Sequence, residues 1–514
     1  MKKITYIILL FSLIFLSCSK TFLDKAPESS ITSGNFYKTL AQFDQALVGA
    51  YASLRGAKGF SDAVYPMAEM RSDNTHFIFN NGNRALAVAS REDADEFLDV
   101  STSPIIAANY NNHYSGIARV NTILGNVSKA GLTEQDVNRI TGQSKFLRAL
   151  YYFDLVRYFG GVPLYLSEVT NTTNAYIPRS SVKEVYDAIV DDLKDAVVKL
   201  SVPSFPQNGR ATQGAARMLL ADVYLTQKNY PLAESELKSI IGMGYSLLPD
   251  YASVFALSNK NSVESIFEIQ YQQGNQGQNS NWYQFLPLSG DLSLITGITS
   301  YNGSTSTGGF NIPTGDLIDS YEVNDTRLDA SIAIAEGTGV TEMMVIEAVK
   351  SARGYTPPPG KIYVPFIKKF VHPHALIYNT DDNFPVYRYS EALLSLAEAL
   401  NEQDKSPEAL TYLNQVRLRA GLEPSAETNR DLLRAVIDHE RRVEFAFENK
   451  RWFDLVRTGK AIEVMNNHGV YIKNVHAGES YLPANSYNVT ANHLLYPIPF
   501  REVQIGRLEQ NPGY

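Results

Sequence analysis

The stretch HERRVEFAFENKRWFDLVRTGK, residues 439–460, decides the fold of this chain. We interpret it as two short helices that meet at Asn449, a residue type that tolerates the left-handed conformation in which helices end. The first helix carries apolar residues at spacings that predict one buried face, namely Leu432, Val436, Val443 and Phe447. The second carries an apolar cluster that includes Trp452 and ends at Gly459, which we predict to be its cap.

Along the first helix, an acidic residue recurs at every fourth position and forms a row. Glu440, Glu444 and Glu448 share one face, and like charges at that spacing repel by roughly 0.2–0.5 kcal/mol per pair. Such a row requires cationic partners, and the nearest in sequence are Arg441, Arg442, Arg451 and Arg457. We therefore predict a structural knot of ion pairs and rings rather than a catalytic carboxylate site, built from Glu440, Arg441, Glu444, Glu448, Arg451 and Trp452.

Outside this stretch the sequence contains repeated helix pairs. Ala221 and Ala233 stand where the helices of a tetratricopeptide unit cross, and Ala397 and Ala409 repeat the same spacing. Residues 145–159 and 181–200 predict a third, split pair, and residues 430–460 a fourth. Because each pair exposes an apolar face that only a neighbouring pair covers, several must stack. We predict a mostly α fold of tetratricopeptide-like repeats, with about four helix pairs, long loop-rich insertions and a few short strands.

Two insertions interrupt these repeats, at about 245–388 and 461–497. Within the first, ESIFEIQY (264–271) and KIYVPFIKKFV (361–371) have the β-branched and aromatic content of strands. The segments 272–285 and 300–311 are rich in Gly, Asn and Ser, which predicts irregular loops. An acidic run at 91–99, REDADEFLD, is interpreted as a solvated face.

The N-terminus has the pattern of an export signal. Two lysines precede an apolar run from Ile4 to Leu16 that is shorter than the roughly 20 residues a membrane span needs. Cys18 follows directly and is the one cysteine of the chain. An exported protein rarely keeps a single thiol without a reason, so we predict that Cys18 carries a lipid anchor. Residues 1–17 are then a signal peptide and residues 18–34 a tether.

Composition and motifs exclude several classes of function. A formal net charge of −8 argues against a nucleic-acid partner, which requires a basic surface. The sequence contains no phosphate-binding glycine motif, and the His-Pro-His segment at 372–374 fits no common metal spacing. Acid pairs at 191–192 and 381–382 are interpreted as solvated surface, although glycoside hydrolysis needs only two carboxylates. We predict no catalytic residue, no metal and no cofactor.

A binding function agrees better with the loops. Sugars pack their C–H faces on aromatic rings and offer hydroxyls to amide and carboxylate groups. Phe77 and Phe79 are interpreted as packing residues. Trp282 stands in a polar run with no apolar periodicity, so it is either a ligand platform or a packing residue. The candidate ligand-binding residues lie in three loops: Asn74 and His76, Trp282 and Tyr283, and Tyr301 and Asn302.

The segment ERRVEFAFENKRWFDLVRTGK resembles the signature helix pair of the SusD/RagB family of nutrient-binding outer-membrane lipoproteins. Residues 18–54, residues 217–241 and the C-terminal HLLYPIPFREVQIGRLEQNPGY agree with that resemblance, which therefore covers nearly the whole chain. It implies that residues 35–514 form one SusD-like domain with a ligand site in loops outside the repeats. No ligand residue carries over by motif.

The same resemblance implies a non-enzymatic, carbohydrate-binding component of nutrient uptake. Such a protein is held in the cell outer membrane by an acyl (palmitate) anchor, facing the exterior, and delivers a glycan to a SusC-like TonB-dependent transporter. Two alternatives stay open at this point. One is a tetratricopeptide-type scaffold for protein assembly, against which the long insertions argue. The other is a surface glycosidase.

Overall fold

The computed structural model describes residues 36–298 and 308–514. Within these ranges the helices are α1 Leu40–Ala57, α2 Leu86–Glu96, α3 Pro104–Val127, α4 Glu134–Phe159, α5 Val182–Lys199, α6 Gln213–Thr226, α7 Tyr230–Ile241, α8 Ser293–Thr296, α9 Gly315–Ser320, α10 Arg327–Ser331, α11 Tyr389–Asn401, α12 Ser406–Arg419, α13 Arg430–Glu444, α14 Arg451–Thr458, α15 Ala461–Val475 and α16 Phe500–Gln504. The strands are β1 Thr75–His76, β2 Ser265–Ile269, β3 Ile312–Pro313, β4 Ile332–Val340, β5 Met343–Ser351, β6 Ile362–Ile367 and β7 Phe384–Arg388.

The predicted helix pairs form the scaffold. α4 packs against α5, α6 against α7, and α11 against α12, while α5 also contacts α6 and α7 contacts α11. The pairs therefore lie in one continuous row, each covering the apolar face of the next. α1 and α3 extend the row before α4. The prediction of a mostly helical, tetratricopeptide-like fold is confirmed. No helix in the described ranges is long and apolar enough to span a bilayer.

The stretch 439–460 differs in detail from the prediction. α13 ends at Glu444, and the chain turns through left-handed residues at Phe447 and Asn449 before α14 begins. The buried apolar residues of α13 are Leu433, Ile437 and Val443, whereas the predicted Leu432 is 58% exposed. Periodicity misplaced this face because charged side chains share it. Gly459 caps α14 in the left-handed conformation, as predicted.

The acidic row lies in a buried ion-pair network. Glu440, Glu444 and Glu448 are at most 2% exposed. The prediction that the arginines nearest in sequence are their partners is wrong. Their partners are bases from four other segments: Arg327, Lys369, Arg388, Arg417 and Arg419.

The predicted arginine partners join different acids. Arg441 pairs with Asp454 and links α13 to α14, while Arg451 pairs with Asp73 in the loop before β1. Trp452 is 1% exposed and lies edge-on to Phe97. The stretch therefore connects the helical repeats both to residues 70–99 and to the first insertion. Its role is structural.

The first insertion contains more strand than predicted. β2 pairs with β7 in antiparallel register, and β6 pairs with β4. The β4–β5 hairpin, which completes the sheet in the order β5-β4-β6, was not predicted because its Ala, Glu and Met content is not typical of strands. The second insertion begins with helix α15, where only loop-rich sequence was expected.

Candidate functional site

A cleft of about 750 Å³ opens where the two insertions meet. The sheet β5-β4-β6 provides one wall through Ile334, Tyr363 and Val364. The opposite wall comes from α15 and from the loop that follows β1. Strand β3 and helix α9 lie between the two walls. Residues up to 400 positions apart, from His76 to His476, therefore enclose one space large enough for several sugar units.

Aromatic rings and a few polar groups line this cleft together. Tyr471 and His476 enter from α15 and its end, and Tyr355 and Tyr363 from the sheet side. The Tyr355 hydroxyl donates to Glu336, and its ring lies 5.3 Å from that of Tyr363. Asp319, Asn324 and Arg353 provide polar atoms at the rim. Apolar walls with a small number of polar groups are typical of small-molecule sites.

The backbone of α9 approaches the Tyr471 ring closely. A Cβ added at Gly315 would lie 2.7 Å from the Tyr471 hydroxyl oxygen. That hydroxyl instead accepts a hydrogen bond from the Asp316 backbone N–H at 3.2 Å. The glycine thereby allows the start of α9 to hold Tyr471 in place at the cleft.

A chain of hydrogen bonds leads from a buried acid to this rim. Asp95 on α2 accepts from His76 Nδ1 at 2.6 Å and from the Tyr487 hydroxyl at 2.6 Å. With Nδ1 protonated, His76 Nε2 accepts the hydroxyl of Tyr481 at 2.9 Å. Burial, with the negative charges of Glu479 and Asp95 nearby, raises the pKa of Tyr481, which keeps its hydroxyl a donor. Tyr481 is therefore oriented by buried groups rather than by solvent.

The oriented Tyr481 ring stacks in parallel on a second ring. Phe79 stacks on Tyr481 with centroids 4.7 Å apart and an interplanar angle of 12°. The Arg84 guanidinium lies 4.5 Å from the Phe79 centroid and pairs with Glu92. Both rings are half-buried. We call Phe79 and Tyr481 the ring pair; it borders the cleft through His476, whose ring is 5.6 Å from Tyr481.

The acidic run beside this site is not the solvated face that was predicted. Glu92, Asp95, Glu96 and Asp99 are each at most 8% exposed. Burial and the neighbouring Asp95 and Glu92 raise the pKa of Glu96 to about 9, so this carboxyl is protonated at neutral pH. The prediction was wrong because α2 packs its acidic face inward, where His76, Arg71 and Arg84 are the partners.

The predicted ligand residues separate into three groups. His76 lines the cleft. Asn74 is fully buried, where its Oδ1 accepts from Arg442 and its Nδ2 donates to Glu69. Tyr301 and Asn302 lie outside the described residues, as does Cys18.

Trp282 and Tyr283 lie in the interior. Trp282 is 1% exposed and donates its indole N–H to Thr380 at 2.9 Å. Its ring stacks on Tyr283, whose hydroxyl contacts His374. In this structure the two rings are packing residues, so the ligand-platform interpretation of Trp282 is wrong. A polar sequence context did not reveal this burial because the rings pack on residues about 100 positions away.

Several rings at the cleft were missed by sequence reasoning. Tyr471, His476 and Tyr481 lie in the second insertion, and Tyr355 and Tyr363 in the first. The Tyr and His content of 461–497 was the one signal that could have identified them. Phe77 is buried, as predicted, whereas Phe79 belongs to the half-buried ring pair.

The acid pairs also differ from the prediction. Asp192 is buried and accepts both Nε and Nη2 of Arg148, and Asp382 is buried against His372. In the part of the chain that the structure describes, no group of three or more His, Cys, Asp or Glu side chains is arranged to hold a metal ion.

Sequence models of known protein families match both halves of the chain. A sequence model described as "SusD family" matches residues 263–514, and one described as "Starch-binding associating with outer membrane" matches residues 21–225. The two models leave residues 1–20 and 226–262 unmatched, and the second gap contains α7 and the start of the first insertion.

Individual relatives align over most of their length. "SusD-like protein P2" of Formosa agariphila is 26% identical over 100% of this chain and 99% of its own. "Starch-binding protein SusD" of Bacteroides thetaiotaomicron is 25% identical over 75% of this chain and 74% of its own. A solved structure titled "Laminarin binding SusD-like protein" superposes with a TM-score of 0.73 at 27% identity, over 93% of this chain and 100% of that one.

Proposed function

We propose that this chain, which belongs to the SusD/RagB family, binds an oligosaccharide at the cleft and its ring pair. The bound oligosaccharide is then passed to a transporter. The family consists of glycan-binding proteins of the outer membrane that are not enzymes, so the chain is a binding component of oligosaccharide uptake. This membership removes the glycosidase alternative, and a scaffold without a ligand does not account for the cleft.

The ring pair is the observation that carries the site assignment. Phe79 and Tyr481 form a nearly parallel stack, and the buried Asp95–His76 pair holds Tyr481 in position. A ring that is already oriented loses little conformational entropy when a sugar stacks on it. The adjoining cleft supplies further rings and polar atoms for the following sugar units.

A neutral glucan is the ligand class that we favour. Asp319 and Arg353 bring one acid and one base to the cleft, which leaves no strong preference for a charged sugar. The relative with a TM-score of 0.73 is titled laminarin binding, and laminarin is a neutral glucan. Laminarihexaose is therefore a suitable first probe.

The site is tested by titrating laminarihexaose into wild type and Tyr481→Ala. We expect the affinity to fall about tenfold or more, because truncation of a stacking ring costs roughly 1–3 kcal/mol. Tyr176→Ala is the matched control, since Tyr176 is 62% exposed and does not line the cleft. Equal affinity of wild type and Tyr481→Ala would contradict the site assignment.

The transporter partner requires a separate experiment. Helical repeats commonly present an extended surface to another protein, and we assign the α4–α7 row to that role. Mild-detergent purification of the tagged chain from its own outer membrane is expected to recover a SusC-like TonB-dependent transporter at near equal stoichiometry. Recovery of the chain alone would contradict the proposed partnership while leaving glycan binding intact.

A further inference from the structure

A second cleft, also of about 750 Å³, lies between α1, residues 208–210 and the loop 270–277. It shares no lining residue with the first cleft. Its loop has the sequence QYQQGNQG, part of the Gln- and Asn-rich segment that the proposed function leaves without a role.

The backbone of this loop is held firmly by neighbouring segments. Asn379 accepts the Gly274 backbone N–H at 2.7 Å and donates to the Gly274 carbonyl at 3.1 Å. Arg55 on α1 donates to the carbonyls of Gln270 and Gln276 at 2.9 and 3.2 Å. Gln272 closes the loop by donating its backbone N–H to the Gly277 carbonyl. The Gln270 side chain anchors the start of the loop by exchanging hydrogen bonds with Asn261. The rest of the loop is held through its backbone.

The four amide side chains that follow Tyr271 in this loop point away from such internal contacts with the described residues. Gln272, Gln273, Asn275 and Gln276 are exposed, and their side chains make no hydrogen bond to the described residues. Each carries both donors and an acceptor. A rigid loop that presents free amides binds hydroxyl-rich ligands with little ordering cost.

The charge of this cleft differs from that of the chain as a whole. Arg55 and Arg210 line it, and no acidic residue within 36–298 or 308–514 does. Arg55 forms no ion pair with the described residues, and Arg210 approaches Asp44 only at 3.9 Å. Tyr51, one helical turn before Arg55, lies with its ring centroid 6.0 Å from the Arg210 guanidinium. The Arg55 guanidinium lies 5.3 Å from a different ring, that of Tyr271. Two weakly compensated guanidiniums, each near an aromatic ring, thus line one cleft in a protein of net charge −8.

We propose that this second cleft binds an acidic sugar, with Arg55 and Arg210 receiving its carboxylate and the loop amides its hydroxyls. Guanidinium groups bind carboxylates through charge-assisted, often bidentate hydrogen bonds. The inference takes its ligand class, carbohydrate, from the proposed function. The residues on which it depends are different from those of the first cleft. The protein would then hold a neutral segment in one cleft and an acidic unit in the other.

The test uses the purified full-length chain in detergent and two probes of equal length. Oligogalacturonate is the acidic probe and laminarihexaose the neutral one. Wild type is expected to bind oligogalacturonate, with affinity that falls as salt rises from 50 to 500 mM. Arg210→Gln should lower that affinity about tenfold and leave laminarihexaose binding unchanged. Arg430→Gln, at an arginine whose side chain is 45% exposed and lines neither cleft, is the matched control.

A second variant keeps the result interpretable if Arg210→Gln loses stability. Gln273→Ala combined with Gln276→Ala removes two amides whose side chains form no hydrogen bond with the residues that the structure describes, and should also weaken oligogalacturonate binding severalfold. Failure of wild type to bind oligogalacturonate, or equal affinity in these variants, would overturn the inference. Inorganic sulfate that binds as tightly as the oligosaccharide would overturn the sugar assignment. Loss of laminarihexaose binding in Tyr481→Ala tests the first cleft alone, so the two proposals can fail separately.

Discussion

Replacing Glu444 by Gln tests whether the acidic row of α13 stabilises the fold. Glu444 is fully buried and contacts Arg388 at 2.9 Å, Arg419 at 2.5 Å and Arg327 at 3.1 Å. Burial raises the pKa of Glu444, but these three guanidiniums outweigh that effect and hold its pKa well below the usual range. The carboxylate is therefore charged at every pH at which the protein is used.

The expected cost follows from the balance of charges around it. The buried part of the network contains five acids and five bases: Asp325, Glu264, Glu440, Glu444 and Glu448 against Arg327, Lys369, Arg388, Arg417 and Arg419. Glu444→Gln leaves one buried positive charge without compensation, which costs about 3–5 kcal/mol. For a chain of 514 residues the unfolding entropy is about 1 kcal/mol/K, so Tm should fall by about 3–5 °C.

The assay is thermal unfolding at pH 7, with Glu423→Gln as the matched control at an exposed glutamate. The control is expected to unfold within 1 °C of wild type. Combining Glu444→Gln with Arg419→Met restores the charge balance and should recover part of the lost Tm, which a double-mutant cycle would measure. An unchanged Tm for Glu444→Gln, or no recovery in the double variant, would refute the reasoning.

Three further predictions concern other regions. Trp282→Ala should destabilise the protein by about 3–5 kcal/mol, because it empties a buried site; an unchanged Tm in the same thermal assay would contradict burial of the ring. Cys18→Ala should move the protein out of the outer-membrane fraction while Ser19→Ala does not; sedimentation of both with membranes would contradict the anchor. Burial lowers the pKa of His468 to about 4 from its ordinary 6.5. The unfolded chain therefore binds this proton first as pH falls, so stability should decrease from pH 6.5 to 4. His468→Gln should reduce that slope in Tm measured against pH, and identical slopes would exclude the effect.

The sequence predicted the types of residue at the candidate site, but it did not identify the particular residues. Loops outside the repeats were expected to carry aromatic and polar residues, and the cleft and its ring pair do lie in the two insertions and in β1 with the loop that follows it. The particular residues could not be chosen, because Trp282 and Tyr481 both stand in polar sequence. The first is buried by contacts with residues near 380, whereas the second is held at the surface by His76, about four hundred positions away.

What the sequence determined by itself is the helical scaffold, the family and the class of function. Helix pairs are encoded by short-range periodicity and small residues at fixed spacing, which need no knowledge of distant contacts. Only the tertiary structure decided which charges pair and which rings line the cleft. Glu440, Glu444 and Glu448 find bases from other segments rather than their neighbours along the helix, since burial makes an unpaired charge costly and packing brings distant bases close. The acidic run at 91–99 is buried for the same reason, because His76, Arg71 and Arg84 are brought to it by the fold.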